Sequence, residues 1–169
     1  QAGDFLVGIP SSGVHTNGFS LVRRVFNTEE NPSVLFRRFG ELKHQLGEEL
    51  LIRHRCYYPL LAPVLELVKG LAHITGGGLP GKMPAILPSH VAARFQAGSW
   101  KVPPIFSIIQ REGGVSVEEM YRVFNMGLGM VAVCEESNIA ALRASVPDAL
   151  VVGRIIPREG EDQVVFRER

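Results

Sequence analysis

A chain of 169 residues, 46% hydrophobic and 21% charged, has the size and composition of one folded domain with a sizeable core, and is short for two. A formal net charge of +1 gives no electrostatic reason to expect a nucleic-acid or membrane partner. No apolar run nears the roughly 18 residues that span a bilayer, and the first residues lack the basic start, apolar stretch and small-residue cleavage site of a secretory signal.

In chain order, Phe5 to Ile9 is a short apolar run closed by Pro10 and reads as a buried strand. Ser11 to Gly18 is too polar and glycine-rich for a core and reads as a loop. From Phe19 apolar residues recur at helical spacing with arginines opposite. Short helices are predicted at Val34–Phe39 and Leu46–Ile52, and a longer one at Tyr57–Val68, with Pro59 and Pro63 near its start. Leu71 to Thr75 reads as a strand running into Gly76-Gly77-Gly78. Lys82–Leu87 reads as a short helix and Val91–Phe95 as a strand. Pro103-Pro104 opens a helix through Gln110. Ser116, with Glu119 three residues on, has the capping-box pattern for a helix to about Phe124. Gly127–Cys134 is a strand, Ser137–Ser145 a helix, and Ala149–Ile156 and Gln163–Phe166 the last strands. Helices and strands interleave without repeat or linker. The expected fold is therefore a single α/β domain of α+β type spanning 1–169, a mixed sheet with helices on at least one face.

Basic pairs at Arg23-Arg24 and Arg37-Arg38, and the group Arg53 to Arg55, sit beside apolar residues and read as solvated helix faces. Cys56 and Cys134 lie among apolar neighbours, without CxxC or His/Cys spacing. Two buried, reduced thiols in a cytoplasmic protein is the expectation, with a disulfide between them as the alternative.

Three segments stand out from their apolar surroundings. Ser11, Ser12, Gly13, His15, Thr16, Asn17 and Gly18 lie between a strand and a helix, where hydroxyls, an imidazole and free helix-start N–H groups suit an anion. A plain capped turn suits the same residues. Ala72 to Gly78 places His73 and Thr75 before three glycines, whose bare backbone fits either a nest of N–H groups around phosphate or a tight turn. It lacks the Lys-Ser/Thr ending of a P-loop. Asn125-Met126-Gly127-Leu128-Gly129 marks a turn entering a strand, with glycines that let another element pack close. HExxH, GxSxG and metal-type Cys/His spacings are absent from the sequence.

Taken together, these segments resemble one family. Gly3 to Arg23, with Ile9-Pro10-Ser11-Ser12-Gly13-Val14-His15-Thr16-Asn17-Gly18-Phe19-Ser20 at its centre, resembles the start of the C-terminal domain of phosphoribosylformylglycinamidine cyclo-ligases, the aminoimidazole ribonucleotide synthetases. Ala72 to Gly78 with Pro84 and Leu87-Pro88 resembles the next hallmark. Trp100, Pro103 to Phe106, Glu118-Glu119-Met120 and Phe124 to Met130 resemble the third, and Val152 to Ile155 the closing strand. The likeness runs through nearly the whole chain in order.

The resemblance implies an ATP-dependent, magnesium-requiring ligase of purine biosynthesis. ATP activates the formyl oxygen of formylglycinamidine ribonucleotide, the amidine nitrogen closes the imidazole ring, and ADP and phosphate leave. It also implies an N-terminal domain outside this chain that holds most of the nucleotide, the metal and the dimer interface. This half would then hold much of the ribonucleotide and be inactive alone. The chain opens on Gln1 close before a strand, so either a leader has been removed or this is a piece of a longer polypeptide; the resemblance favours the second. On that basis His15 is the expected catalytic residue. Ser11, Ser12, Gly13, Asn17, Arg55, His73, Thr75, Gly76, Gly77, Gly78 and Asn125 are the expected substrate-binding residues, with no metal ligand among them. Other ATP-using enzymes share the two-domain plan, among them thiamine phosphate kinase and a hydrogenase maturation factor, so a paralogue acting on another small substrate, or a stand-alone binding domain, are the alternatives. One stretch departs from the family pattern. Leu50 to Tyr57 aligns with Leu-Leu-x-Pro-Thr-Arg-Ile-Tyr, so Arg53 stands at the proline and His54 at the threonine.

Overall fold

The computed structural model describes residues 1–167. Six strands form one sheet: β1 (Phe5–Pro10), β2 (Gly70–His73), β3 (Val91–Gln96), β4 (Leu128–Cys134), β5 (Leu150–Pro157) and β6 (Val164–Arg167), in the order β2-β4-β1-β5-β3-β6. All pairings are antiparallel except β3 with β6. The sheet is therefore mixed, as the sequence predicts.

All seven residues of β4 are buried, which explains why its sequence is continuously apolar rather than alternating: it lies between β2 and β1 and both its faces are covered. On one face Val7, Ile9, Met130, Ala132 and Cys134 pack under Tyr57, Leu61, Val64 and Leu142. These belong to or flank α3 (Tyr58–Leu61), the 3-10 segment Ala62–Leu67 and α7 (Ile139–Ser145). On the other face Leu6, Val131, Val133 and Val152 pack with Ile74, Leu79, Met83, Phe95 and Trp100, partly from α4 (Gly78–Lys82). A third apolar cluster joins α1 (Phe19–Phe26), α2 (Leu46–Leu50), α5 (Pro104–Gly113) and α6 (Val117–Val123) through Val22, Phe26, Leu46, Phe106, Ile109 and Phe124. Ser116 caps α6 as expected, its Oγ accepting from the Glu119 N–H at 3.2 Å.

Five sequence-based expectations need correction. The helix at 57–68 is broken into α3 and a 3-10 turn, because Pro59 and Pro63 supply no N–H and crowd the preceding turn. The helix at 34–39 is a 3-10 turn over Pro32–Phe36, after which Arg38 bridges to Gln45. The helix at 82–87 is the end of α4 followed by a 3-10 turn at Pro84–Ile86. Arg37-Arg38 and Arg53 to Arg55 lie outside any helix and not on a helix face. Of the two free cysteines Cys134 is buried, but Cys56 is exposed. No helix among the described residues is long and apolar enough to cross a membrane.

Candidate functional site

Sheet topology brings the polar segments together. Both β1 and β2 run antiparallel to β4, so they are parallel to each other and end at the same edge, where β4 begins. Ile9 and His73 both lie opposite Met130. The loop after β1, the end of β2 and the Asn125–Gly129 approach to β4 therefore meet, although they are more than 50 residues apart in sequence.

The loop after β1 is tied down at several points. The Ser11 N–H donates to the Gly127 carbonyl at 2.9 Å. Asn125, only 2% exposed, donates through Nδ2 to the Gly13 carbonyl at 2.9 Å, while its Oδ1 accepts from the Gly127 N–H at 2.9 Å. Asn125 is thus occupied in holding the loop. Gly18 is followed directly by α1, and a side chain there would meet the Phe124 ring at 2.1 Å. The Ser12 hydroxyl donates to the Arg53 carbonyl at 2.8 Å, joining the loop to the stretch that departs from the family pattern.

His15 is the centre of this arrangement. It is 4% exposed and has a left-handed backbone, φ 63°, which is uncommon for a residue with a Cβ and typical of functional loops. Its Nε2 accepts from the Ser12 N–H at 3.1 Å. Since a backbone N–H can only donate, the ring is the tautomer with its proton on Nδ1. That Nδ1 is buried and has no partner within the chain. The His54 ring stacks on His15 with centroids 3.8 Å apart and planes 15° apart. Beyond it, His73 Nε2 lies 3.2 Å from His54 Nε2. Tyr57 lies about equally far from all three rings, at 6.1, 6.3 and 6.0 Å from His15, His54 and His73. Its hydroxyl donates to the Pro10 carbonyl at 3.1 Å. Gly129 leaves room for both: a Cβ there would sit 1.8 Å from the Tyr57 oxygen and 2.8 Å from His15 Cε1.

Burial first, and neighbouring groups second, favour the neutral form of His15 and of His73. Burial, then the neighbouring His54 and His73, push His15 down to about 4 from the usual 6.5. Burial, His54 and Lys82 also lower His73. Burial raises Tyr57, with Asp148 adding to the effect and Arg55 opposing it. The neutral His15 has a consequence for stability. The unfolded chain takes up the proton near pH 6.5 and the folded chain only near 4, so the contribution of this residue is complete above 6.5. It is lost as pH falls toward 4, by at most about 1.4 kcal/mol per pH unit. Urea titrations between pH 7 and 4 should show a shallower loss in His15→Asn, a replacement that tolerates the left-handed backbone. An unchanged slope would mean that His15 is not held neutral.

Arg55, expected to bind substrate, is paired within the chain. Its two terminal nitrogens reach the Asp148 carboxylate at 2.5 and 2.9 Å, and the first also donates to the Pro10 carbonyl at 3.3 Å. The Asp148 hydrogen bond raises its pKa, burial working the other way. Gly76 and Gly77 are exposed at the mouth of the site, and Asn17 Oδ1 lies 3.6 Å from where a Gly76 side chain would begin. Gly78 has a packing reason of its own, since a Cβ would stand 1.8 Å from the Tyr121 carbonyl oxygen. Ser11 Oγ is buried without a partner, and Thr75 is half-buried. Sequence reasoning left His54, Tyr57 and Asp148 out of the site, while the close approach it expected at the glycines of the Asn125–Gly129 segment is found at Gly129. The one signal for His54 was its departure from the family pattern; Asp148 gave none.

The magnesium implied by the resemblance does not fit these side chains. Among the described residues, the one group of three metal-capable side chains is His15, His54 and His73, and imidazole nitrogens do not suit a hard cation that selects oxygen.

The fold and this site define a domain class: an antiparallel-rich mixed sheet whose strand ends carry a Ser-Ser-Gly-x-His loop facing a glycine loop. The chain belongs to the family described as AIR synthase related protein, C-terminal domain, whose model matches residues 1–165. It is 47% identical over 166 residues to a phosphoribosylformylglycinamidine cyclo-ligase of Shouchella clausii, covering 95% of this chain and 48% of that protein. The counterpart in Caldicellulosiruptor bescii is 46% identical over 173 residues, covering 99% and 50%. The chain thus spans about half the length of these curated relatives. Among solved structures, a hydrogenase maturation protein HypE superposes with a TM-score of 0.61 at 14% identity, over 99% of this chain and 50% of that one. A thiamine-monophosphate kinase from Stenotrophomonas maltophilia gives 0.59 at 15% identity, over 98% and 50%. At such identities the likeness concerns the fold.

Proposed function

We propose that this chain is the C-terminal, substrate-binding half of an ATP-dependent cyclo-ligase that converts formylglycinamidine ribonucleotide to aminoimidazole ribonucleotide in de novo purine biosynthesis. The observation that carries the reading is the identity of 41 to 47% to eight relatives bearing the cyclo-ligase name, each over at least 95% of this chain. In this reading an N-terminal domain supplies magnesium and most of the ATP site and forms the homodimer, and the enzyme works in the cytoplasm. One related fold, a ThiL, is described in complex with AMPPCP and TMP, which supports ATP use.

The residues of this half act on the ribonucleotide. Neutral His15 presents Nδ1–H from a buried position, suited to donate to the formyl oxygen as that atom gains negative charge. Ser11, Ser12, Gly13 and Asn17 line the same loop, and Thr75 with the exposed amides of Gly76 and Gly77 faces the ribonucleotide phosphate. Arg55, His73, Gly78 and Asn125 frame the pocket, Asn125 and Gly78 mainly by shaping the backbone.

A direct assay tests the assignment. This chain joined to the nucleotide-binding half of a relative should close the imidazole ring with ATP, whereas the chain alone should not. Ring closure by the isolated chain at rates near those of the joined protein would overturn the division of labour. Failure of the joined protein on this substrate, with ATP still hydrolysed on another, would overturn the substrate.

A further inference from the structure

The cluster of His15, His54 and His73 has more imidazole than a single hydrogen-bond donor requires. We propose that it is a three-histidine binding site for a divalent transition ion of the zinc class. One ligand atom from each residue lies within 4.8 Å of the other two. The closest pair, His54 Nε2 and His73 Nε2, are 3.2 Å apart. Two nitrogens on one tetrahedral zinc, at about 2.0–2.1 Å each, stand about 3.3 Å apart. The separation therefore suits a shared ion as well as a shared proton. Three nitrogens without carboxylate select zinc, cobalt, nickel or copper over calcium or magnesium.

The three positions differ in access in a way that suits an ion arriving from solvent. His73 is exposed, His54 half-buried and His15 buried, so two ligands can capture the ion before the third closes on it. Tyr57, whose hydroxyl is spent on the Pro10 carbonyl, forms an inert floor, leaving a fourth coordination position for water or a ligand. Binding has a defined structural cost. The stacked rings of His15 and His54 must splay so that their lone pairs converge. His15 Nδ1 carries its proton while Nε2 accepts from the Ser12 N–H, so His15 can ligate only once that contact opens. Whichever of His54 and His73 now donates to the other must carry its proton on Nδ1 instead. Ligation through Nε2 leaves the Nδ1–H in place, so a bound ion keeps that donor but breaks the Ser12 contact that orients the ring.

The site does not depend on the cyclo-ligase reading, because its test uses no substrate. Purified chain is titrated with Co2+, read by visible d–d absorption, and with Zn2+ by calorimetry. One ion should bind per chain with absorption of tetrahedral type. His54→Thr, which installs the residue of the family pattern, and His73→Ala should each weaken binding by more than the roughly 10- to 100-fold typical of losing an outer-shell partner. Both positions are at least partly open to solvent, and a thermal melt checks that the variants fold. Cys56→Ser, His44→Ala and His90→Ala should leave the affinity unchanged. The Ser12 amide resonance should move on zinc addition, reporting that His15 has joined. Absence of stoichiometric binding, binding that survives His54→Thr, or binding lost in Cys56→Ser would each overturn the proposal.

Discussion

Replacing His15 by alanine, in a protein that joins this chain to its nucleotide-binding half, is expected to lower turnover by roughly a hundred- to a thousandfold, the usual cost of removing one donor to a developing oxyanion. The expectation follows from geometry more than from residue type. A histidine held near pKa 4 is neutral throughout the working range and is a poor source of a whole proton. Its Nδ1–H is nonetheless buried and unpaired, and such a group is costly unless something accepts from it. The substrate oxygen is the natural acceptor. Two measurements together decide the matter. If the histidine donates a hydrogen bond, turnover falls while nucleotide binding holds, and the wild-type rate shows no inflection near pH 6 to 7 assignable to this residue. If it only braces the loop, the melting temperature falls and turnover per folded molecule stays within about threefold of wild type, which would remove His15 from the catalytic list.

Gly129→Ala is expected to damage the site severely through a single added methyl group. The new Cβ would overlap the Tyr57 oxygen at 1.8 Å and its Cζ at 2.6 Å, and press on His15 Cε1 at 2.8 Å. Tyr57 is 4% exposed and bonded to Pro10, so it cannot swing aside without surrendering that bond and uncovering Leu61 and Ala132 beneath it. Overpacking of this kind costs about 1–3 kcal/mol and occasionally more. The cause is separable from mere strand preference. Tyr57→Ala is itself destabilising, but in its presence Gly129→Ala should cost much less, leaving only the contact with His15, a strong non-additivity. Additive losses in the double variant would show that the clash with Tyr57 is not the reason.

Much of the fold was legible before any coordinates. All six strands fall where apolar runs placed them, and β4 is apolar throughout because both its faces are buried. Helix limits were less legible wherever proline entered. Tyr57–Val68 has helical spacing, yet its two prolines divide it, since spacing reports which face is buried and proline decides whether the hydrogen bonds can run on.

The sequence by itself determined the family, the strand set and the polar loops, because those depend on local composition and on motifs contiguous along the chain. Only the tertiary structure decided what the loops do to one another. Asn125 turned out to hold the Gly13 carbonyl rather than to lie free in the pocket. Gly78 avoids a collision with Tyr121, a residue 43 positions away. Arg55 meets Asp148 across 93 positions. His54 comes to lie on His15 because the 52–57 stretch passes over strands that were ordered β2-β4-β1 by sheet pairing. Periodicity carries information about which side of an element is buried. It carries none about which distant element covers that side: sheet pairing brings His15 and His73 to one edge, and the laying of the 52–57 stretch against them adds His54.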